Sequence, residues 1–204
     1  MPSLDNLAIK YGTDKSSEFH GYTRVYDEFF SAMQYNNLSI LEIGVAGGRS
    51  IRMWLEYFTN AKIYGVDMDY PEEVKAVLGK ESRFEMLQCK QHDTPKLCRL
   101  VAGKTFDYVI DDGSHMEKQI LASFEVLWPL VKKGYFIEDV HLSLRKPKVK
   151  GKILAKTFDW VKSLNYKGDR LFLGQPSLKE VPGHQNTIES ITYYPGLVYI
   201  RKKV

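Results

Sequence analysis

The sequence predicts an α/β fold: a doubly wound, mostly parallel seven-stranded sheet that ends in an antiparallel hairpin. Five short apolar runs alternate with segments of helical periodicity, which is the order that a parallel sheet with crossover helices requires. A glycine-rich turn over residues 44–48 follows the first apolar run. Two further apolar runs flank Tyr194-Pro195-Gly196 near the C-terminus and predict the hairpin.

The N-terminal segment, residues 1–36, is predicted to be a helical cap on a core formed by residues 37–204. Aromatic and apolar side chains between Tyr22 and Phe30 recur at spacings of three and four, so they share one face of a helix. The core then supplies the strands in order. The predicted strands are Leu38–Ile43, Lys62–Asp67, Arg83–Gln88, Phe106–Ile110, Gly134–Ile137, Ile188–Tyr193 and Leu197–Arg201, with helices between them that include Ser50–Phe58 and Ile153–Leu164.

The length and composition fit a single domain over residues 1–204. A chain of 204 residues with 44% hydrophobic content is large enough to bury a core. The net charge of +4 is mild, and the basic run over residues 145–152 has no interleaved aromatic side chains, so nucleic acid is not the expected partner. The two cysteines, Cys89 and Cys98, form neither a disulfide framework nor a spacing typical of metal ligands.

No apolar run approaches the roughly 20 residues that span a bilayer, and the N-terminus lacks the pattern of a signal peptide. We therefore expect a cytoplasmic protein with no membrane partner. The sequence is compatible with a homo-oligomer but does not fix the oligomeric state.

The glycine turn and two nearby acids predict a nucleotide-like cofactor. Gly44, Gly47 and Gly48 lack the G-x-G-x-x-G spacing of a dinucleotide fingerprint, which disfavours a nicotinamide cofactor. Glu42 lies two residues before the first of these glycines. Asp67 ends the next predicted strand, where an acid can accept hydrogen bonds from ribose hydroxyls.

Two acidic clusters follow the fourth and fifth predicted strands. Residues 111–115 read Asp-Asp-Gly-Ser-His, and residues 138–141 read Glu-Asp-Val-His. Together they place four carboxylates and two imidazoles at strand ends, where open α/β sheets carry their chemistry. Magnesium is a hard cation that prefers oxygen ligands, so these carboxylates fit magnesium better than zinc.

The chain resembles the class I S-adenosylmethionine-dependent methyltransferases, on the acid and glycine motif over residues 42–50. Its opening, Lys-Tyr-Gly-Thr-Asp-Lys over residues 10–15 followed by residues 20–26, is similar to that of the macrolide-sugar O-methyltransferases of the mycinamicin and demethylmacrocin type. The two acidic clusters and the hairpin are similar to the same enzymes and to cephalosporin-hydroxylase-like proteins. The resemblance implies a Rossmann-like methyltransferase fold that binds S-adenosylmethionine. It also implies a magnesium or manganese ion, and a hydroxyl of a sugar or glycosylated small molecule as the methyl acceptor.

The resemblance also implies a metal site and a general base. Asp112, Glu138 and Asp139 would hold the ion, and His115 would remove the acceptor proton. Residues 114–117, Ser-His-Met-Glu, have the form of a capping box, which predicts His115 at the first position of a helix. A helix N-terminus and a neighbouring cation both disfavour the charged imidazolium, so the ring would be free to accept a proton.

The cofactor is expected to contact the glycine turn, the nearby acids and a lid from the N-terminal segment. Lys15 could pair with the cofactor carboxylate in this lid. Gln91 matches the family's run after the third strand, although Cys89 and Lys90 replace small and acidic residues of that run. The predicted cofactor-binding residues are Thr13, Lys15, Tyr22, Glu42, Gly44, Gly48, Ser50, Asp67, Gln91 and Asp111.

Two other functions fit parts of the sequence. A non-haem iron hydroxylase-like enzyme would bind iron through His115, His141 and Asp112, a set of two histidines and one carboxylate; the glycine turn argues against it. A catalytically silent cofactor-binding protein would recognise nucleic acid through the basic run, residues 145–152. Outside the iron alternative, His141 is either an ordinary loop histidine or a residue that assists binding of the acceptor.

Overall fold

The computed structural model describes residues 2–144, 153–161 and 187–203. One sheet contains seven strands: β1 (Ser39–Ile43), β2 (Lys62–Asp67), β3 (Phe84–Gln88), β4 (Phe106–Asp111), β5 (Val131–Ile137), β6 (Ile188–Tyr194) and β7 (Leu197–Lys202). Their order in the sheet is β3-β2-β1-β4-β5-β7-β6. The first five strands are parallel, and β7 runs antiparallel to both β5 and β6. The predicted fold class is confirmed, including the terminal hairpin.

Helices occupy the segments between the strands, as the periodicity predicts. They are α1 (Leu4–Tyr11), α2 (Tyr22–Phe30), α3 (Arg49–Tyr57), α4 (Glu72–Leu78), α5 (Thr94–Val101) and α6 (Glu117–Leu127). Residues 153–161 are also helical. The remainder of the helix predicted over residues 153–164, and the basic run over residues 145–152, lie outside the described residues. None of the helices that the structure describes has the length and apolar character needed to cross a membrane.

The strand register brings the chemically important strand ends to one edge of the sheet. Ile43 of β1 lies beside Asp111 of β4, and Asp111 lies beside Ile137 of β5. The residues that follow these positions, the glycine turn and the two acidic clusters, are therefore neighbours in space.

The sheet separates two hydrophobic clusters, because successive side chains of a strand point to opposite faces. On one face α1 and α2 pack with α3, and Tyr26 of α2 makes edge contacts with Trp54 and Phe136. On the other face α5 and α6 cover the sheet, and Phe124 of α6 stacks on Trp128. The predicted N-terminal cap is thus part of the first cluster, with its aromatic stripe facing inward.

Candidate active site

A cavity of about 940 Å³ opens at the carboxyl ends of the parallel strands. The N-terminal segment, the glycine turn, the end of β2 and the loop after β4 all contribute to its walls. Seven of the predicted site residues line it: Thr13, Gly44, Ser50, Asp67, Gln91, Asp112 and His115.

The glycine turn forms one wall of the cavity and presses against the end of β4. Gly44 has a positive φ of 95°, and a Cβ atom there would collide with the backbone carbonyl of Asp112. Only glycine meets both requirements, the positive φ and the close approach. Gly48, with φ 72°, packs instead against Leu78 of α4, so it shapes the turn from behind.

Asp67 fixes the conformation of this turn. Its Oδ2 accepts hydrogen bonds from the backbone amides of Val45 and Ala46, both at 2.9 Å. Its Oδ1 accepts one from the amide of Asp69 at 3.1 Å. The carboxylate lines the cavity at the end of β2, in the position where such an acid can also accept hydrogen bonds from a ribose.

Glu42 lies behind the turn, fully buried. Its Oε2 accepts hydrogen bonds from Ser50 Oγ at 3.0 Å and from Trp54 Nε1 at 3.1 Å. Its Oε1 has no hydrogen-bond partner among the described residues, but it lies 3.5 Å from Lys15 Nζ. Burial raises the pKa of Glu42 to about 7, against the opposing effect of the Lys15 charge.

Asp111 and Gln91 form a buried network on the other side of the sheet. Gln91 Nε2 donates to both carboxylate oxygens of Asp111, at 2.7 and 2.9 Å, and Ser123 and Tyr135 donate to Oδ2. Burial raises the pKa of Asp111 to about 6, although the hydrogen bonds from Tyr135 and Ser123 oppose this. Gln91 Oε1 accepts from the amide and hydroxyl of Ser114, each at 3.1 Å, and so holds the loop after β4.

Asp112, His115 and Asp139 form a group whose ligand atoms all lie within 4.8 Å of one another. His115 Nε2 is 3.6 Å from Asp139 Oδ2, and Tyr22 donates a hydrogen bond of 2.7 Å to Asp139 Oδ1. His115 and Asp139 both have positive φ values, 54° and 55°. Such backbone strain is commonly found where side chains are aimed for function.

The donor chemistry of this group fits a divalent cation. Two carboxylates and one imidazole can approach a common point, and carboxylate oxygens suit magnesium or manganese. His141, a ligand of the hypothetical iron triad, is not part of this group; its Nδ1 lies 3.9 Å from Asp139 Oδ1.

Glu138, the third predicted metal ligand, is directed into the protein interior. Tyr26 donates a short hydrogen bond to its Oε1, and Lys15 Nζ lies 2.9 Å from its Oε2. Burial raises the pKa of Glu138 well above its ordinary value, and Lys15 opposes that effect. The structure therefore places Glu138 behind Asp112 and Asp139, next to a cation that the protein itself supplies.

Lys15 and Tyr22 also lie away from the cavity wall. The side chain of Lys15 is fully buried and contacts Asp112 as well as Glu138 and Glu42. The predicted lid of Thr13, Lys15 and Tyr22 is thus divided in the structure: Thr13 lines the cavity, while the other two residues contact the acidic clusters.

The predicted capping box is wrong. Helix α6 begins at Glu117, its N-cap residue Met116 makes no side-chain capping hydrogen bond, and His115 lies in the preceding loop. The positive φ of His115 is incompatible with a helical position. Ser114 is held by Gln91, and its Oγ accepts a hydrogen bond of 3.3 Å from the backbone amide of Met116. It does not cap a helix.

Two residues close to the acidic clusters were not among the predicted site residues. Tyr26 lies four positions after Tyr22 on the same face of α2, and the two hydroxyls reach Glu138 and Asp139. The spacing of four between the two tyrosines indicates that both hydroxyls point the same way, so the sequence contained a signal for Tyr26. His20 Nε2 lies 4.0 Å from Asp139 Oδ1, and nothing local in the sequence indicates this proximity.

Comparisons with known proteins agree with this architecture. Residues 41–138 match the family model described as a methyltransferase domain. The chain is 31% identical over 216 residues to 8-demethyl-8-alpha-L-rhamnosyl tetracenomycin-C 2'-O-methyltransferase of Streptomyces olivaceus, a match that covers 100% of this chain and 55% of that enzyme. It is 36% identical over 149 residues to mycinamicin VI 2''-O-methyltransferase of Micromonospora griseorubida, with 68% of this chain and 36% of that enzyme covered.

A solved structure shows the same fold. It is MycE, a methyltransferase from the mycinamycin biosynthetic pathway, in complex with Mg and SAH. The TM-score is 0.84 at 28% identity, and the match covers 98% of this chain and 54% of MycE. The chain thus spans about half the length of the first relatives that it matches. Residues 41–138 thus match a methyltransferase domain, and the chain is similar to O-methyltransferases that are named for a rhamnosyl tetracenomycin and for mycinamicin VI.

Proposed function

We propose that this chain is a metal-dependent O-methyltransferase that moves the methyl group of S-adenosylmethionine to a hydroxyl of a sugar or of a glycosylated small molecule. One observation carries the proposal: the cavity beside the glycine turn is also lined by Asp112 and His115, which form one group with Asp139. The proposed cofactor wall and two of the three residues of the proposed cation site therefore line one cavity.

The cofactor would bind against the glycine turn and Asp67. Asp67 combines a fixed position, through its hydrogen bonds to Val45 and Ala46, with exposure to the cavity. Thr13 and Ser50 line the same cavity. Glu42 and Gly48 would support this wall from behind, since both are packed beneath the turn. The MycE structure that contains SAH supports the choice of cofactor.

A magnesium or manganese ion would be held by Asp112, Glu138 and Asp139. Asp112 and Asp139 belong to the group that could bind an ion, and Glu138 adjoins both. The bound ion supplies positive charge that lowers the pKa of an acceptor hydroxyl. Asp139 is positioned for this role by Tyr22, whose hydroxyl fixes Oδ1.

His115 would act as the general base. It lines the cavity with about a quarter of its side chain exposed, and Asp139 Oδ2 lies 3.6 Å from its Nε2. An imidazole nitrogen would take the hydroxyl proton as the oxygen bonds to the methyl carbon and the carbon–sulfur bond breaks. The neighbouring carboxylate of Asp139 would stabilise the imidazolium that results.

The acceptor class rests on the relatives. The names of two of them specify 2'- and 2''-O-methylation of a rhamnosyl tetracenomycin and of mycinamicin VI. MycE has been solved with Mg, SAH and Mycinamycin VI. We therefore propose a glycosylated small molecule as the partner, and neither nucleic acid nor membrane.

We also propose that the chain forms one domain and that it is located in the cytoplasm. Residues 1–36 and the core from residue 37 would act as one domain, because α1 and α2 are built into the same hydrophobic cluster as β1 and α3. A cytoplasmic location fits two cysteines that are both free, Cys89 and Cys98.

The proposal can be tested with purified protein in two steps. Calorimetry should detect binding of S-adenosylhomocysteine, and mass spectrometry should then detect methylation of a panel of deoxysugar glycosides, mycinamicin VI included, in the presence of magnesium. Activity should be lost in EDTA and restored by magnesium or manganese, while cofactor binding persists. Binding of NAD in place of S-adenosylhomocysteine, or undiminished methylation in EDTA, would contradict the proposal.

A further inference from the structure

Lys15 lies at the centre of the acidic side of the site. Its side chain is fully buried, and Nζ is 2.9 Å from Glu138 Oε2 and 3.5 Å from Glu42 Oε1. It also forms a short ion pair with Asp112 Oδ2. A lysine ammonium has three protons to donate, so it can serve several carboxylates at once.

The three carboxylates belong to three different strand ends. Glu42 is in β1, Asp112 follows β4, and Glu138 follows β5. Like charges gathered in a buried place repel one another, and a buried charge is costly unless it is paired. Lys15 supplies the pairing charge from the loop after α1. It therefore connects the N-terminal cap electrostatically to the edge of the sheet.

Asp112 is shared between Lys15 and the proposed metal group. Its Oδ2 contacts Lys15 Nζ, and its carboxylate also belongs to the group with His115 and Asp139. A divalent cation in that group and the lysine ammonium would thus draw on the same carboxylate. Two cations in such proximity repel each other, and the repulsion is weakly screened because the ammonium is fully buried.

We propose that Lys15 is the built-in counter-cation of the acidic site: it holds the carboxylates together in the metal-free protein and competes with the divalent ion for them. Lys15 is in this sense a positioning residue, acting on the metal ligands and not on the acceptor or the methyl group. The inference rests on the proposed metal site and deepens it. On this inference, the affinity of the site for a divalent ion depends on how strongly the Lys15 ammonium competes for the same carboxylates.

The test uses Lys15→Met, which keeps most of the side-chain volume and removes the charge. The control is Lys10→Met, which removes an exposed lysine of the same cap that pairs with Glu56 on the surface. Unfolding temperature would be measured in EDTA and in Mn²⁺, and Mn²⁺ affinity by calorimetry. Lys15→Met should have a lower unfolding temperature than the control in EDTA. Mn²⁺ should raise the unfolding temperature of Lys15→Met more than that of the wild type and bind it at least about tenfold more tightly, because a like charge has been removed.

A double variant, Lys15→Met with Glu42→Gln, provides for the case in which the single variant does not fold. It removes one carboxylate together with the ammonium, so it should recover stability in EDTA and still bind Mn²⁺ more tightly than the wild type. Unchanged or weaker Mn²⁺ binding in whichever variant folds would overturn the inference, as would failure of both variants to fold in Mn²⁺. Absence of Mn²⁺ binding by the wild type would instead refute the metal site of the proposed function.

Discussion

Asp111 and Glu138 are two buried carboxylates at the same edge of the sheet, but they are stabilised in different ways. Asp111 faces the cluster covered by α6 and accepts hydrogen bonds from the neutral groups of Gln91, Ser123 and Tyr135. Glu138 faces the cluster that contains α2 and is paired with the charge of Lys15. Burial raises the pKa of both carboxyls.

The difference separates an acid that is held by neutral donors from an acid that is paired with a charge. Neutral donors complete the hydrogen bonding of Asp111 and fix the loop that carries Asp112 and His115, so nothing further is required there. On the Glu138 face three carboxylates, those of Glu42, Asp112 and Glu138, converge on one ammonium beside the cavity. We therefore expect an additional cation to bind on that face.

The comparison predicts that removal of His115, on the Glu138 side, has the largest effect on turnover. His115→Ala should lower the rate about 10²- to 10⁴-fold, the usual contribution of a positioned general base. Tyr135→Phe, which removes a buried hydroxyl from the Asp111 side, should change the rate by less than about threefold. Rates would be measured with saturating cofactor on the glycoside found in the panel.

Calorimetry of the His115 variant separates two roles. Retained affinity for S-adenosylhomocysteine and Mn²⁺ would support the base. If Mn²⁺ binding is lost together with turnover, His115 is a metal ligand and the base assignment fails.

The two adjacent aspartates, Asp111 and Asp112, offer a sharper test, because the first is held by neutral donors and the second contacts Lys15. Asp112→Ala should weaken Mn²⁺ binding by more than about 100-fold, since even the loss of an outer partner of a ligand costs 10- to 100-fold. Asp111→Asn should leave Mn²⁺ affinity within about threefold. Equal losses in both variants would show that the two faces do not differ in the way described.

Periodicity predicted the fold because each strand and helix is a local pattern. All seven strands fall within three residues of their predicted bounds. The convergence of the glycine turn and the acidic clusters also followed from the sequence, because the carboxyl ends of parallel strands share one edge.

The direction of the side chains at this edge did not follow from the sequence. Glu138 and Asp139 are consecutive, yet one is turned inward and the other toward His115. The position of Lys15 depends on a loop that returns to the sheet edge from α1, a contact more than a hundred residues distant from Glu138 along the chain. The capping box failed for a related reason: a contact with Gln91 fixes Ser114 and overrides a local motif.

Asp67 extends the comparison to the cofactor side of the cavity. Like Asp111 it is satisfied by neutral donors, but it also faces the cavity. Asp67→Asn keeps a carbonyl oxygen for the amides of the turn and removes the charge. It should weaken binding of S-adenosylhomocysteine by about 1.5 to 3 kcal/mol, through the loss of charge-assisted hydrogen bonds to the ribose.

Calorimetry at constant ionic strength would measure this affinity in Asp67→Asn and in the wild type. An unchanged affinity would remove Asp67 from the cofactor site. A melting temperature close to that of the wild type is the required control, because it shows that the turn has kept its fold.

The smallest predicted effect concerns pH, and it distinguishes the two faces without any ligand. Burial raises the pKa of Glu42 from 4.5 to about 7 and that of Asp111 from 3.8 to about 6. For each group, the folded state binds more protons than the unfolded state at pH values between its ordinary pKa and its raised pKa. The free energy of unfolding should therefore decrease as the pH rises through these windows.

The two windows differ, so matched variants can assign them. In EDTA, the wild-type free energy of unfolding should fall between about pH 5 and pH 7, by up to about 1.4 kcal/mol per pH unit for each group within its window. Glu42→Gln should flatten the upper part of this fall, and Asp111→Asn the lower part, in urea unfolding curves. Stability that rises with pH over this range would contradict both assignments. A Glu42→Gln curve that parallels the wild type would mean that Lys15 keeps Glu42 ionised in the folded protein, and the upper part of the fall would then come from another buried group.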